Sequence, residues 1–247
     1  AVTQPAPERD KSLYAPAMPE PERSNGEGQA PIRLGVSSCL LGQNVRFDGG
    51  HKHNPFVSEQ LGAFVEWVPV CPELEVGMGV PRPALRLVRE GDAVHMREIA
   101  SQRDHTRSMQ AFSARRVRAL RELELCGYVL KKDSPSCGME RVRVYAKGSP
   151  TRSGRGLFAA ELLDRLPLLP VEEEGRLNDP GLRENFVERV FAYRRLKDLF
   201  RGRWSVGGLV AFHTAEKLLL LAHDPDGYRQ LGRIVAKAKD SLREEVV

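Results

Sequence analysis

The chain has 247 residues, 41% of them hydrophobic and 29% charged, with a formal net charge of +5. That composition supplies enough apolar material for one or two packed domains and is too polar for a membrane protein or for wholesale disorder. No apolar run approaches the roughly 20 residues of a spanning helix, and no apolar block near the N-terminus resembles a secretory leader, so a cytoplasmic globular protein is expected.

Residues 1–31 hold six of the 17 prolines and almost no bulky apolar side chains apart from Leu13, Tyr14 and Met18. Such a segment cannot bury enough surface to offset its ordering entropy, and it reads as a disordered tail. From Ile32 the pattern changes. Residues 32–38 form a short apolar run ending in small residues, a buried strand, followed by a turn containing Gly42, Gly49 and Gly50. Residues 55–65 carry Phe56, Val57, Leu61, Phe64 and Val65 at helical spacing, with Asn54 as N-cap and Pro55 at the first helical position. A second strand is expected at 67–70, and a hairpin at 84–96 around Glu90-Gly91-Asp92. Residues 104–125 place Met109, Phe112, Val117, Leu120 and Leu123 on one helical stripe and Arg115, Arg116, Arg118 and Arg121 between them. Strands follow at 128–130 and 142–145.

The segment 167–180 contains three prolines and the acidic run Glu172, Glu173, Glu174, a composition that suits a connection between domains. Beyond it, 181–200, 205–222 and 226–245 favour helix, broken at Gly202, at Gly207-Gly208 and at Asp224-Pro225-Asp226-Gly227. The expected organisation is a tail (1–31), an α/β domain (32–166) with a Rossmann-like, open and mostly parallel sheet covered by helices on both faces, a linker (167–180), and a smaller all-α domain (181–247). The charge is segregated. Residues 103–155 carry 13 basic against 5 acidic side chains and residues 180–247 carry 13 against 9, which is compatible either with an ordinary solvated surface or with a polyanionic partner.

Four cysteines are too few for a disulfide scaffold in a chain of this length. Three of them follow expected core strands and sit among turn-forming residues: Ser37-Ser38-Cys39-Leu40-Leu41-Gly42, Cys71-Pro72-Glu73 and Ser134-Pro135-Ser136-Cys137-Gly138. In a parallel α/β sheet the carboxyl ends of the strands share one edge, where ligands bind, so these thiols are placed to converge. Cys126, between Leu125 and Gly127 with no turn chemistry, reads as buried filler. Separations of 32 and 66 residues disfavour a zinc finger or ribbon, and no Cys-x-x-Cys redox motif occurs. A three-thiolate cluster site and three unrelated turn cysteines both remain open on spacing alone.

Four ordered motifs, Gly35-Val36-Ser37-Ser38-Cys39-Leu40-Leu41-Gly42, Val45-Arg46-Phe47-Asp48-Gly49-Gly50, Val70-Cys71-Pro72-Glu73 and Lys131-Lys132-Asp133-Ser134-Pro135-Ser136-Cys137-Gly138, resemble the thiouracil desulfidase (TudS) family over roughly residues 32–166. The stretch 169–177, Arg183-Glu184-Asn185-Phe186, and Phe212-His213 through Ala222-His223 resemble its two-domain, RudS-type members, which remove sulfur from 4-thiouridine in transfer RNA. The helical part looks shorter than in those members, and Ala215-Glu216 stand where a basic pair is expected.

The resemblance implies a 4Fe-4S cluster held by Cys39, Cys71 and Cys137, with one iron open for a thiocarbonyl sulfur, and a hydrolytic desulfidation without net redox change. In that setting Glu73 is the best-placed carboxylate for proton transfer and Ser134 a partner for substrate or water. Thiolated transfer RNA is the implied substrate and partner, with no protein partner implied. Arg115, Arg116, Arg118, Arg121, Lys131 and Lys132 would contact its backbone. Asp48 reads as a turn residue, and His51 and His53 as solvated loop histidines. The competing expectations are a desulfidase of free thiouracil, an RNA-binding module with a purely structural metal, and a thiol-based redox enzyme.

Overall fold

The computed structural model describes residues 31–146, 149–202 and 204–238. The expected tail, apart from Pro31, and the end of the last expected helix lie outside them. The elements in chain order are β1 (Arg33–Ser37), β2 (Glu66–Val70), α1 (Pro72–Glu75), β3 (Leu85–Glu90), β4 (Ala93–Glu98), α2 (Thr106–Glu122), β5 (Gly127–Leu130), β6 (Val142–Tyr145), β7 (Thr151–Gly154), α3 (Leu157–Arg165), β8 (Val171–Glu173), α4 (Pro180–Arg201), α5 (Val206–Ala215), α6 (Lys217–His223) and α7 (Pro225–Lys237). The fold is α/β with parallel-rich sheets.

The strands divide between two four-stranded sheets, ordered β2-β1-β5-β8 and β4-β3-β6-β7, where the sequence reading expects a single open sheet. The first sheet is wholly parallel, with Leu34 opposite both Trp67 and Gly127 and Tyr128 opposite Val171. The second is mixed. The β3–β4 hairpin is antiparallel with Leu87 opposite Met96, and β3 runs parallel to β6. Because the hairpin pairs with β6, it builds its own sheet and adds nothing to the first.

Alternation along the strands sends side chains to two cores. On one face of the first sheet Tyr128 and Leu130 pack with Met109, Phe112, Val117 and Leu120 of α2, Phe158 and Leu162 of α3, and Leu87 and Val144 of the second sheet. On the other, Leu34, Val36 and Val129 pack with Leu40, Val57 and Leu61 and with Phe186 and Val190 of α4. The helix read as opening a separate domain therefore shares the core of the first sheet, and the described residues from Pro31 onward belong to one compact unit.

The acidic run at 172–174, read as a connection, forms β8 and its end. It pairs with β5, and all three glutamates are buried. Expected helix 55–65 forms a π-helical turn at Phe56–Gln60 followed by a 3-10 turn at Leu61–Ala63, with the Asn54 carboxamide oxygen accepting from Val57 N at 3.1 Å. Gly35 is dictated by packing: a Cβ there would lie 2.1 Å from the Tyr128 ring.

The start of α2 is tied to the hairpin by Asp104, which accepts from Thr106 N at 2.8 Å and pairs with the His95 ring at 2.8 Å. Desolvation opposes ionisation of this carboxyl, but the Thr106 and His95 hydrogen bonds outweigh it and hold its pKa down, at about 2. A carboxylate with a depressed folded-state pKa contributes stability at neutral pH that is lost as pH falls below its unfolded value, near 3.8, and through its folded one. Asp104→Asn is therefore expected to lower the thermal midpoint at pH 7, with the two proteins converging near pH 2, as followed by circular dichroism.

Candidate active site

Three chain segments leave the parallel sheet at one edge. After β1, the turn Ser38–Leu41 carries Cys39; directly after β2 comes Cys71, at the start of α1; after β5 the loop 131–141 carries Cys137. All three cysteines line one cavity of about 330 Å³, together with Ser37, Arg46, Lys52, Glu73, Arg82, Lys131, Lys132, Ser134 and Ser136. The convergence expected from the turn motifs is thus present. Cys126 lies elsewhere, buried in the core beneath α4 with its thiol 3.8 Å from Glu124 O.

Burial pushes all three cavity thiols up from the ordinary cysteine value. Cys39 rises to about 11, with Lys131 opposing the shift; Cys71 rises less freely because the Leu74 amide assists its ionisation; Cys137 rises furthest. The thiols also raise one another. A group that binds here must supply positive charge to hold three thiolates. Among the described residues no three His, Cys, Asp or Glu side chains gather tightly enough for a single metal ion. Three soft donors spaced around a cavity, with Arg46, Lys52 and Lys131 in the same wall, fit a larger sulfide-bridged iron cluster better than a single zinc ion.

Beside the thiols is a polar network. Glu73 Oε2 accepts from Arg82 Nη2 at 2.7 Å and Nε at 2.9 Å, and Glu73 Oε1 accepts from Ser136 Oγ at 2.7 Å. Ser136 Oγ lies 3.0 Å from Ser134 Oγ, which itself accepts from Cys137 N at 3.1 Å. Arg82 also donates to Val45 O and Gly79 O, both at 2.9 Å, and its side chain is 4% exposed. Arg82 and Ser136 escape the sequence reading. Arg82 sits between two prolines, nine residues from Glu73, with no pattern linking the two; Ser136 reads as part of a turn.

The loop carrying Cys137 is held from several sides. Glu174 accepts from Lys132 N at 2.7 Å and pairs with Lys131 Nζ; Glu173 Oε1 accepts from Met139 N at 2.8 Å. The N-terminal amides of α3 donate to the loop, Leu157 N to Pro135 O and Phe158 N to Ser136 O. Gly156 allows this approach, since a Cβ there would lie 2.4 Å from Ser136 O.

The expected nucleic-acid contacts separate into two groups. Lys131 and Lys132 line the cavity, Lys131 being occupied by Glu174. Arg115, Arg118 and Arg121 are exposed on α2, away from the cavity lining, while Arg116 is half-buried against Glu75 at 2.9 Å. Asp48 caps its own turn, accepting from Gly50 N at 3.1 Å. His51 and His53 are exposed and interact locally, His51 Nδ1 accepting from His53 N.

The family model for 2-thiouracil desulfurase matches residues 34–174, the span from β1 to the end of β8. The protein YbbK of Bacillus subtilis (strain 168), described as uncharacterized, is 31% identical over 152 residues, 58% of this chain and 97% of YbbK. A solved structure of TudS, described as a 4Fe-4S-dependent thiouracil desulfidase, is 30% identical with a TM-score of 0.49, covering 62% of this chain and 98% of that one.

The buried Glu73–Arg82 pair sets a stability test. Arg82→Met leaves a carboxylate of 14% side-chain exposure without its cation and is expected to cost about 3 kcal/mol. The double variant Glu73→Gln/Arg82→Met, which removes both charges, is expected to recover much of that loss, as measured by urea denaturation.

Proposed function

The chain belongs to the 2-thiouracil desulfurase family, and from that premise we propose that it removes sulfur from a thiolated pyrimidine by hydrolysis, using a 4Fe-4S cluster held by Cys39, Cys71 and Cys137. The observation that carries this reading is the meeting of these three cysteines in one cavity beside the Glu73–Ser136–Ser134 network. The overall reaction converts thiocarbonyl and water to carbonyl and hydrogen sulfide, with no change of oxidation state. When bound, the cluster supplies a soft iron as Lewis acid for the thiocarbonyl sulfur.

The chain's own residues would handle binding and protons. Ser136 Oγ donates its one proton to Glu73 Oε1, so in the Ser134–Ser136 contact the Ser134 hydroxyl is the donor and its proton points along the chain toward Glu73. A proton taken up at Ser134 can pass to Ser136 and on to Glu73 Oε1, since each step spans a hydrogen-bond distance of 3.0 and 2.7 Å. Arg82 is a positioning residue: it fixes the Glu73 carboxylate from the side opposite Ser136. Lys52 and Lys132 would meet the electronegative rim of the heterocycle or the groups attached to it.

We take 4-thiouridine in transfer RNA as the specific substrate and the cytoplasm as the site of action. The support is the basic side chains at the cavity, the exposed arginines of α2 and the helical region from Pro180 onward. A free base would need none of these. Anaerobically purified protein is expected to be brown, with iron and sulfide in nearly equal amounts. Replacing Cys39, Cys71 or Cys137 by Ser should abolish both, and Cys126→Ser should retain them. Zinc in place of iron would overturn the cluster reading. Glu73→Gln should lower sulfide release about a hundredfold or more while iron content is kept. Sulfide release from thiolated transfer RNA, compared with free thiouracil, decides the substrate; turnover of the free base alone would overturn the transfer-RNA assignment.

A further inference from the structure

Of the three segments that bring a cysteine to the cavity, the one after β2 leaves its thiol at the head of a single helical turn. Cys71 is the first residue beyond the β1–β2 ladder, whose last pair is Ser37 with Val70, and the four residues of α1 follow it directly. One turn has little stability of its own, so the direction in which it points the Cys71 thiol has to be set by other parts of the chain. Cys39 and Cys137 have such support close by. Cys39 O accepts from Lys52 N at 2.9 Å, and the Cys137 loop is braced by Glu173, Glu174 and α3.

For Cys71 the support comes from two glutamates of α1, each held by an arginine. Glu73 lines the cavity and is bound by Arg82. Glu75 does not line the cavity; its Oε1 turns back and accepts from Cys71 N at 3.1 Å, while Glu75 N donates to Cys71 O at 2.8 Å. The other oxygen of this carboxylate, Oε2, lies 2.9 Å from Arg116 Nε of α2. That nitrogen is out of solvent and makes no aligned hydrogen bond, so the contact acts through charge. Arg116 therefore differs from Arg115, Arg118 and Arg121 of the same helix, which are exposed. The Glu75 and Arg116 side chains are still partly open to water, at 32% and 25% exposure, and a pair of this kind contributes little to overall stability. Its effect is local, on the residue whose amide Glu75 holds.

We propose that Arg116 is a positioning residue for Cys71: by holding Glu75 it fixes the Cys71 amide, and with it the direction in which the thiol enters the cavity, and it offsets the carboxylate charge beside that thiol. Two glutamate–arginine pairs then divide the turn between them, Glu73–Arg82 on the cavity side and Glu75–Arg116 on the α2 side. That Cys71 ligates a cluster rests on the desulfidase reading; the hold on its amide rests on the distances alone. Charge close to an iron-sulfur ligand sets the cluster's potential, so loss of Arg116 leaves a more negative surrounding.

The test uses the purified full-length protein and two independent readouts. Hydrogen exchange at the Cys71 amide, resolved by mass spectrometry, is expected to be about tenfold faster in Arg116→Met and in Glu75→Ala than in the wild type. Arg116→Lys, which keeps the charge, should recover most of the protection, and Arg115→Met, which removes an exposed neighbour, should leave it intact. Thermal midpoints should change little throughout. Unchanged exchange in Arg116→Met, or faster exchange spread over the whole chain with a lowered thermal midpoint, would overturn the assignment. In anaerobically purified protein the midpoint potential should become more negative in Arg116→Met and return toward the wild-type value in Glu75→Gln/Arg116→Met; a potential that does not move would also overturn it. Faster exchange at Cys71 in a protein that binds no iron would keep the hold on the amide and remove the cluster reading.

Discussion

Parallel pairing of β1 with β2 on one side and β5 on the other sends three segments out of the sheet along a single edge, and each carries a cysteine. The rest of the site follows from what that edge demands. Three thiols, a carboxylate and several hydroxyls have to be held largely out of water, where an unpaired charge or an unmet hydrogen bond costs more than a good one contributes. The chain meets the demand by pairing. Arg82, almost wholly enclosed, answers Glu73; Ser136 takes the second Glu73 oxygen; Ser134 takes two amides of its own loop.

The third strand end is the most heavily braced. Loop 131–141 carries Cys137, Ser134 and Ser136, and it receives glutamates from the end of β8 below and helix amides from α3 behind. This explains why three glutamates in succession are tolerated at the edge of a parallel sheet. Glu174 serves Lys131 and the Lys132 amide, Glu173 serves the Met139 amide, and Glu172 is paired with Arg176 at 2.8 Å. Braced in this way, the loop presents its side chains with little freedom, which is the preorganisation that catalysis in a small cavity requires.

Elements whose side chains advertise their environment are readable from the sequence. The apolar run of β1, the alternating hairpin β3–β4 around Gly91 and the striped α2 are found where periodicity places them. Elements stabilised by partners are not. β7, with the sequence Thr-Arg-Ser-Gly, has no apolar pattern and exists as an edge strand because β6 supplies its hydrogen bonds. β8 looks like a charged connection because nothing local shows that Glu173 and Glu174 have amide and cationic partners 34 to 43 residues away. The division into two sheets, and the packing of α4 against the first, are likewise matters of which surface meets which.

The same division runs through the site. The sequence by itself determined that three cysteines lie in turn motifs after core strands, that a glutamate follows one and a serine-rich loop surrounds another, and that Cys126 stands apart. Those are local facts, set by residue type and spacing. Only the tertiary structure decided that Arg82 would lock Glu73, that Ser136 would join Glu73 to Ser134, and that Glu173 and Glu174 would brace the Cys137 loop. Each of these depends on a partner that no local pattern points to, and the energy of a buried charge or hydrogen bond resides in the pair, which exists only once the fold has brought both members together.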